Sequence, residues 1–151
     1  MFKKILVAID GSDHAWKALD LATELAEHHG ARLTILHVVP YQDVPDELRD
    51  LAEAEHVPFD EERFRYHYGR TLGDRITEQA QKRARAKGVG AVTAETVEGK
   101  PADMILAVAK NEGADAIVLG SRGAGYISGM LLGSVSHRVA NLADVTCIVV
   151  K

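Results

Sequence analysis

Between Ala116 and Val139 the sequence passes from a β-branched apolar run to a glycine-rich loop and then to a helical pattern, and this order restricts the chain more than any other feature. Ala116 to Leu119 reads as a buried strand. A loop with Gly120, Gly123, Gly125 and Gly129 follows, and from Gly133 onward Val135, Val139 and Leu142 fall at helical spacing. A strand that hands a glycine loop to a helix start presents unpaired backbone N–H groups and the positive end of a helix dipole to an anion. Glycine allows the approach, because a Cβ would stand between the backbone and a phosphate oxygen. Ser134 and Ser136 add hydroxyls beside those amides. A flexible linker has the same composition, but linkers are not usually held between a buried strand and a helix. A phosphate site is therefore the expectation.

The rest of the chain supplies a framework for such a loop. Ile5 to Ile9 is a continuous apolar run of strand length, as in a parallel strand covered on both faces. Asp10-Gly11-Ser12 ends it, and Ser12 or Asp13 can cap the next helix. Ala15, Leu19, Ala22 and Ala26, with Ala18, Leu21 and Leu25, form one apolar stripe, with Trp16 packing at its edge, and Gly30 stops it. Arg32 to Val39 reads as a second strand closed by Pro40, completing a right-handed βαβ unit.

Residues 41 to 69 differ. They are rich in Asp, Glu, Arg and His, contain Pro45 and Pro58, and read as a variable excursion with Asp46 to His56 as one exposed helix. Such a segment is either a solvated loop or a lid. Glu61 to Lys87 reads as one long helix or two, with Leu72, Ile76, Ala80 and Ala84 on one face. Its basic C-terminal end, Lys82, Arg83, Arg85 and Lys87, suits the helix dipole and is expected to be solvated. Ala91 to Val97 alternates as a third strand, and Pro101 opens a helix with Ile105, Leu106, Val108 and Ala109 on its apolar face, ended by Gly113. The fourth strand, the glycine loop, a helix to Ala143 and a fifth strand, Val145 to Val150, complete the chain. Five strands alternating with four main helices predict an α/β fold around a parallel sheet, within one domain over residues 1–151.

Composition narrows the function. The net charge of −4 argues against a nucleic-acid partner, since such domains are usually basic. The single cysteine, Cys147, lies in an apolar run and reads as a small buried hydrophobe rather than a reactive thiol. No run is long enough for a membrane span, and the apolar start meets Asp10 too soon for a secretory signal, so the cytoplasm is the expected location. A P-loop Gly-x₄-Gly-Lys-Ser/Thr is missing, as is Gly-x-Gly-x-x-Gly after the first strand. No Ser/His/Asp set or Cys/His metal spacing stands out, and His37 reads as a satisfied strand residue.

The spacing Gly120-x-x-Gly123, nine residues, then Gly133-Ser134 resembles the Gly-x₂-Gly-x₉-Gly-Ser/Thr motif of the ATP-binding universal stress proteins. Lys3 to Ser12, Leu36-His37-Val38, Gly99-Lys100-Pro101-Ala102 and Thr146 to Val150 resemble the same family in the same order. The resemblance implies a three-layer α/β/α sandwich of Rossmann-like type, similar to the adenine nucleotide alpha hydrolases, with strand order 3-2-1-4-5. In that order strands one and four part at the crevice where doubly wound sheets bind ligands, and Asp10 and Gly120 follow those strands.

The resemblance also implies the site. Amides of Gly123, Ala124, Gly125 and Tyr126, and of Ser134, Val135 and Ser136 after Gly133, would hold the triphosphate of ATP. Ala8, Ile9 and Asp10 would border the nucleoside, with the Asp10 carboxylate on ribose hydroxyls or on a water bound to Mg²⁺ or Mn²⁺. Val38 would offer backbone to adenine, and Gly120 and Ser121 would border the ribose. Arg122 is either a phosphate ligand or a solvent-facing cation. With no P-loop lysine or catalytic base, such a site is expected to hold ATP and to split it very slowly. The implied function is a nucleotide-dependent stress or regulatory switch read by a protein partner. A small ATP-consuming enzyme, or a dimeric regulator without nucleotide, are the other readings. Family resemblance further implies a homodimer through Val145–Val150.

Overall fold

The computed structural model describes residues 1–41, 44–123 and 131–151. The strands are β1 (Lys4–Ala8), β2 (Arg32–Val39), β3 (Val92–Glu98), β4 (Ala116–Gly120) and β5 (Thr146–Val150), and the helices are α1 (Asp13–His29), α2 (Asp46–Ala54), α3 (Glu61–Ala86), α4 (Pro101–Glu112) and α5 (Ser134–Leu142). The strands form one parallel sheet in the order β3-β2-β1-β4-β5. Helices α1 and α3 cover one face and α4 and α5 the other, giving the α/β/α sandwich.

The central strands explain why continuous apolar runs are needed. Ile5, Leu6 and Val7, like Ala116, Ile117 and Val118, are at most 1% exposed, because both faces of each strand meet helices. Burying such a side chain fully is worth about 1.5–3 kcal/mol, so β1 and β4 are where the sheet is anchored. Small residues let α1 lie close: Ala15, Ala18, Ala22 and Ala26 are buried beside Leu19. Local chemistry sets the helix ends. The Ser12 hydroxyl accepts from the Ala15 amide at 3.3 Å, and Gly30, in the left-handed region, turns its N–H to the carbonyls of Ala26 and Glu27. Pro101 opens α4 and Gly113 closes it in the same way. Asp115 ties β4 to the start of β1 by accepting from the amides of Lys3 (2.6 Å) and Lys4 (2.8 Å), and these two bonds hold its carboxyl below the usual range.

The segment between β2 and β3 is more structured than its composition implies. Residues 61–69, at the end of the expected excursion, belong to α3, a single helix of 26 residues capped by the Asp60 side chain on the Arg63 amide. Helix α2 buries none of its residues. It is tied to α3 through Glu61, which meets Arg49 at 2.5 Å and Arg65 at 3.1 Å. Both guanidinium groups hold the Glu61 carboxyl below its ordinary pKa, Arg49 more strongly than Arg65. Val44, just before α2, is 3% exposed. Among the described residues, no helix is long and apolar enough to cross a membrane.

Candidate functional site

The site forms where the sheet winds in opposite directions. The connection from β1 to β2 runs through α1 on one face, whereas the chain returns from β3 through α4 on the other face and enters β4 on the far side of β1. The C-terminal ends of β1 and β4 therefore border a crevice, with Ala8 paired to Leu119 as its floor.

Two loops meet above that floor. After β1, Ile9 still donates its N–H to Leu36 at 2.9 Å, and Asp10 turns out into solvent. One Asp10 oxygen accepts from the Ser12 amide at 3.0 Å. Gly11 makes this turn at φ +84°, a conformation other residues rarely adopt. After β4, the backbone of Gly123 passes so close to the second Asp10 oxygen that a Cβ on Gly123 would overlap it. The expected meeting of the β1 and β4 loops is thus present at Asp10 and Gly123.

The helix end is held to the same place by Ser121. Its carbonyl accepts from the Gly133 amide at 2.6 Å and from the Ser136 hydroxyl at 2.8 Å, while its own N–H reaches Val150 at 2.6 Å. Gly133 is the N-cap of α5 and packs against the backbone of Arg122, where a Cβ would lie 3.5 Å from the Arg122 Cα. The amides of Ser134, Val135 and Ser136 stand in the first turn of α5, where an α-helix supplies no partners of its own. The positive helix end and the Asp10–Gly123 junction are therefore joined through one buried residue.

The residues expected at the site fall at different places around the crevice. Ala8 and Ile9 border the crevice, and Val38 lies two residues beyond the Leu36 that pairs with Ala8, so its backbone extends past the end of β1. Gly120 ends β4, and Arg122 is half-buried at the rim. Ala124, Gly125 and Tyr126 lie outside the described residues. Ser121 is 1% exposed and Ser136 2%. The Ser136 hydroxyl proton is directed at the carbonyls of Ser121 and Gly133, so it fastens the loop to the helix instead of donating outward. His37 is 9% exposed with Nδ1 at 2.8 Å from the Ile9 carbonyl, a satisfied strand residue behind the site. His14 was not expected there. Its backbone packs on Gly120 and its Nδ1 lies 3.4 Å from the Ser121 hydroxyl. The signal was its place in the first turn of α1, four residues after Asp10. Burial raises the Cys147 thiol pKa, which suits a packing role.

This arrangement can bind an anionic group at amides and place a carboxylate beside it. Among the described residues, no group of three or more His, Cys, Asp or Glu side chains could hold a metal ion. A model of the universal stress protein family matches residues 1–151. Universal stress protein YxiE of Bacillus subtilis (strain 168) is 42% identical over 154 residues, covering 100% of both chains. Among solved structures, universal stress protein UspA from Lactobacillus plantarum superposes with a TM-score of 0.77 at 27% identity, covering 99% of this chain and 97% of that one. A universal stress protein in complex with cAMP gives a TM-score of 0.72 at 30% identity, covering 99% of this chain and 97% of that one. The fold, the motif residues and the full-length match agree: the chain belongs to the universal stress protein family.

Proposed function

We propose that the protein binds ATP in the β1/β4 crevice and acts as a nucleotide-dependent stress-response switch with at most slow hydrolysis. One observation carries this reading: the Gly123 backbone lies directly against the Asp10 carboxylate, and Ser121 ties that junction to the first turn of α5. Amides of Gly123 and of Ser134 to Ser136 suit a chain of phosphates, and Asp10 suits the hydroxyls of a ribose. Extended backbone at Val38 is suited to an adenine edge. A universal stress protein of the same fold in complex with cAMP supports an adenine nucleotide as the ligand. A divalent ion, Mg²⁺ or Mn²⁺, would arrive with the phosphates and meet Asp10 through water.

Slow turnover follows from what surrounds the proposed phosphate position. Phosphoryl transfer needs fixed positive charge and a positioned base. One Asp10 oxygen is held by the Ser12 amide and the other faces the Gly123 backbone, while Ser121 and Ser136 are buried. The test is mass spectrometry of nucleotide released from the purified protein, followed by a turnover assay. ATP should be found, with turnover far below about 1 per second, the low end of ordinary enzymes. Protein that carries no nucleotide and binds none on addition overturns the reading, and turnover within the enzyme range makes it an ATPase.

The exposed edges of the sheet support a homodimer through β5. One edge, β3, reads Val-Thr-Ala-Glu-Thr-Val-Glu and carries its own charges. The other, β5, reads Thr-Cys-Ile-Val-Val and leaves its last four residues half-buried. An apolar unpaired edge invites a second strand, whereas charge on an edge repels one. Ile148→Asp is expected to give a monomer in light scattering while circular dichroism stays native. A folded Ile148→Asp protein that remains dimeric removes β5 from the interface.

A further inference from the structure

We propose that the protein has a second small-molecule site, beside α3 at the C-terminal ends of β2 and β3, that takes an uncharged flat heteroaromatic ring with an in-plane hydrogen-bond acceptor. A cleft of about 230 Å³ opens there, lined by Val39, Pro40, Val44, Pro45, Phe64 and Tyr68 among others. None of these residues belongs to the Asp10–Gly123 junction. The volume is below the roughly 300–1,000 Å³ of a drug-sized pocket, so it suits one or two fused rings. Its wall already favours flat groups. Phe64 and Tyr68 lie one helical turn apart with ring planes within 3° and centroids 5.9 Å apart, and Tyr68 keeps 60% of its surface exposed.

The polar end of the cleft supplies the second observation. Val39, Arg65 and Glu98 are shared with an adjoining hollow of about 10 Å³, room for a single water, which Thr96 also lines. Thr96 is 6% exposed and its buried hydroxyl oxygen has no hydrogen-bond partner among the described residues. The same is true of Arg65 Nε. Buried polar atoms are nearly always paired, so two orphans lining one hollow at the end of an aromatic cleft call for a partner from outside the chain. An in-plane acceptor on a ring would satisfy the Arg65 N–H and the Thr96 hydroxyl, directly or through one water. Glu61 accepts from Arg65 Nη2 at 3.1 Å and offsets its charge, Asp74 lies 4.0 Å from Arg70 of the hollow, and Glu98 stands at the same cleft. This balance disfavours a phosphate and separates the cleft chemically from the crevice at β1 and β4.

The test is a two-dimensional NMR titration of the full chain with quinazolin-4-one, and with indene as a control of similar outline without an acceptor. Each titration is run with and without ATP. Quinazolin-4-one is expected to shift the amides of Val39, Tyr68 and Thr96 with an affinity that ATP does not change. Thr96→Val, which keeps the side-chain shape, should weaken binding at least about five-fold, the value of one hydrogen bond. Tyr68→Ala, at an exposed position, should weaken it as well. Shifts confined to Ile9, Asp10 and Ser121 would place the ring in the crevice and overturn the proposal. Wild-type affinity in Thr96→Val, or equal binding of indene, would also overturn it, because apolar contact alone would then account for the binding. Loss of ATP binding does not bear on any of these outcomes.

Discussion

Gly123→Val is expected to yield a folded protein from which ATP no longer copurifies and to which added ATP binds at least about 100-fold more weakly. The magnitude follows from the geometry. A Cβ at Gly123 would overlap the Asp10 carboxylate, so either Asp10 swings away or the loop moves out of the crevice. Each response removes charge-assisted contacts worth about 1.5–3 kcal/mol apiece, and 1.4 kcal/mol is a factor of ten. The fold should be spared, because Gly123 lies beyond the end of β4 and its neighbour here is an exposed side chain. Calorimetric titration with ATP, with the thermal midpoint measured on the same samples, checks both halves. Wild-type affinity in the variant would show that the Asp10–Gly123 junction is not the nucleotide site.

How much of this was legible in the chain depended on the range of the forces involved. The buried strands were readable because Ile5 to Val7 and Ala116 to Leu119 are apolar without interruption, which only cover on both faces rewards. The stops at Gly30 and Gly113 and the start at Pro101 were readable because capping is decided within a few residues. Helix α3 was harder. Two glycines, Gly69 and Gly73, fall inside it, and glycine in a helix interior costs about 1 kcal/mol relative to alanine. The sequence pattern alone leaves one helix or two open. The structure shows why they are tolerated: a Cβ on Gly73 would lie 2.6 Å from Thr96 and 2.7 Å from His37, and one on Gly69 would strike Val39. These neighbours lie 30 to 36 residues before the glycines they meet and 23 after, beyond what a local pattern encodes.

The site divides in the same way. The approach of Asp10 to Gly123 was legible because an Asp-Gly stop after one strand and spaced glycines after another are local patterns. The inward turn of the Ser136 hydroxyl was not, since a serine hydroxyl serves a ligand or a carbonyl equally well and only the packing of α5 on the loop after β4 decides. His14 was missed because its contact is with Gly120, a residue whose spacing had already been explained by a ligand.

That contact gives the second large prediction, in which two glycines of one motif fail in opposite ways. Gly120→Val is expected to lower the stability of the protein by about 3 kcal/mol or more, beyond the usual 1–3 kcal/mol of overpacking because the clash is with backbone. A Cβ on Gly120 would lie 2.8 Å from the His14 Cβ, 2.9 Å from its carbonyl carbon and 3.0 Å from its carbonyl oxygen. The His14 backbone belongs to the first turn of α1, so relief requires moving the helix off β4, where Ala15, Ala18 and Leu19 are packed at most 3% exposed. Against a total stability of about 5–15 kcal/mol such a loss is large, and urea unfolding monitored by circular dichroism would read it directly. Nucleotide added in excess should recover only part of it, because ligand linkage acts on the folded population and does not remove the clash. A Gly120→Val protein with a wild-type urea midpoint and no affinity for ATP would mean that Gly120, like Gly123, is small for the sake of the ligand. The present geometry instead makes the first glycine of the motif a packing requirement of α1 on β4 and the second a requirement of the close approach to Asp10.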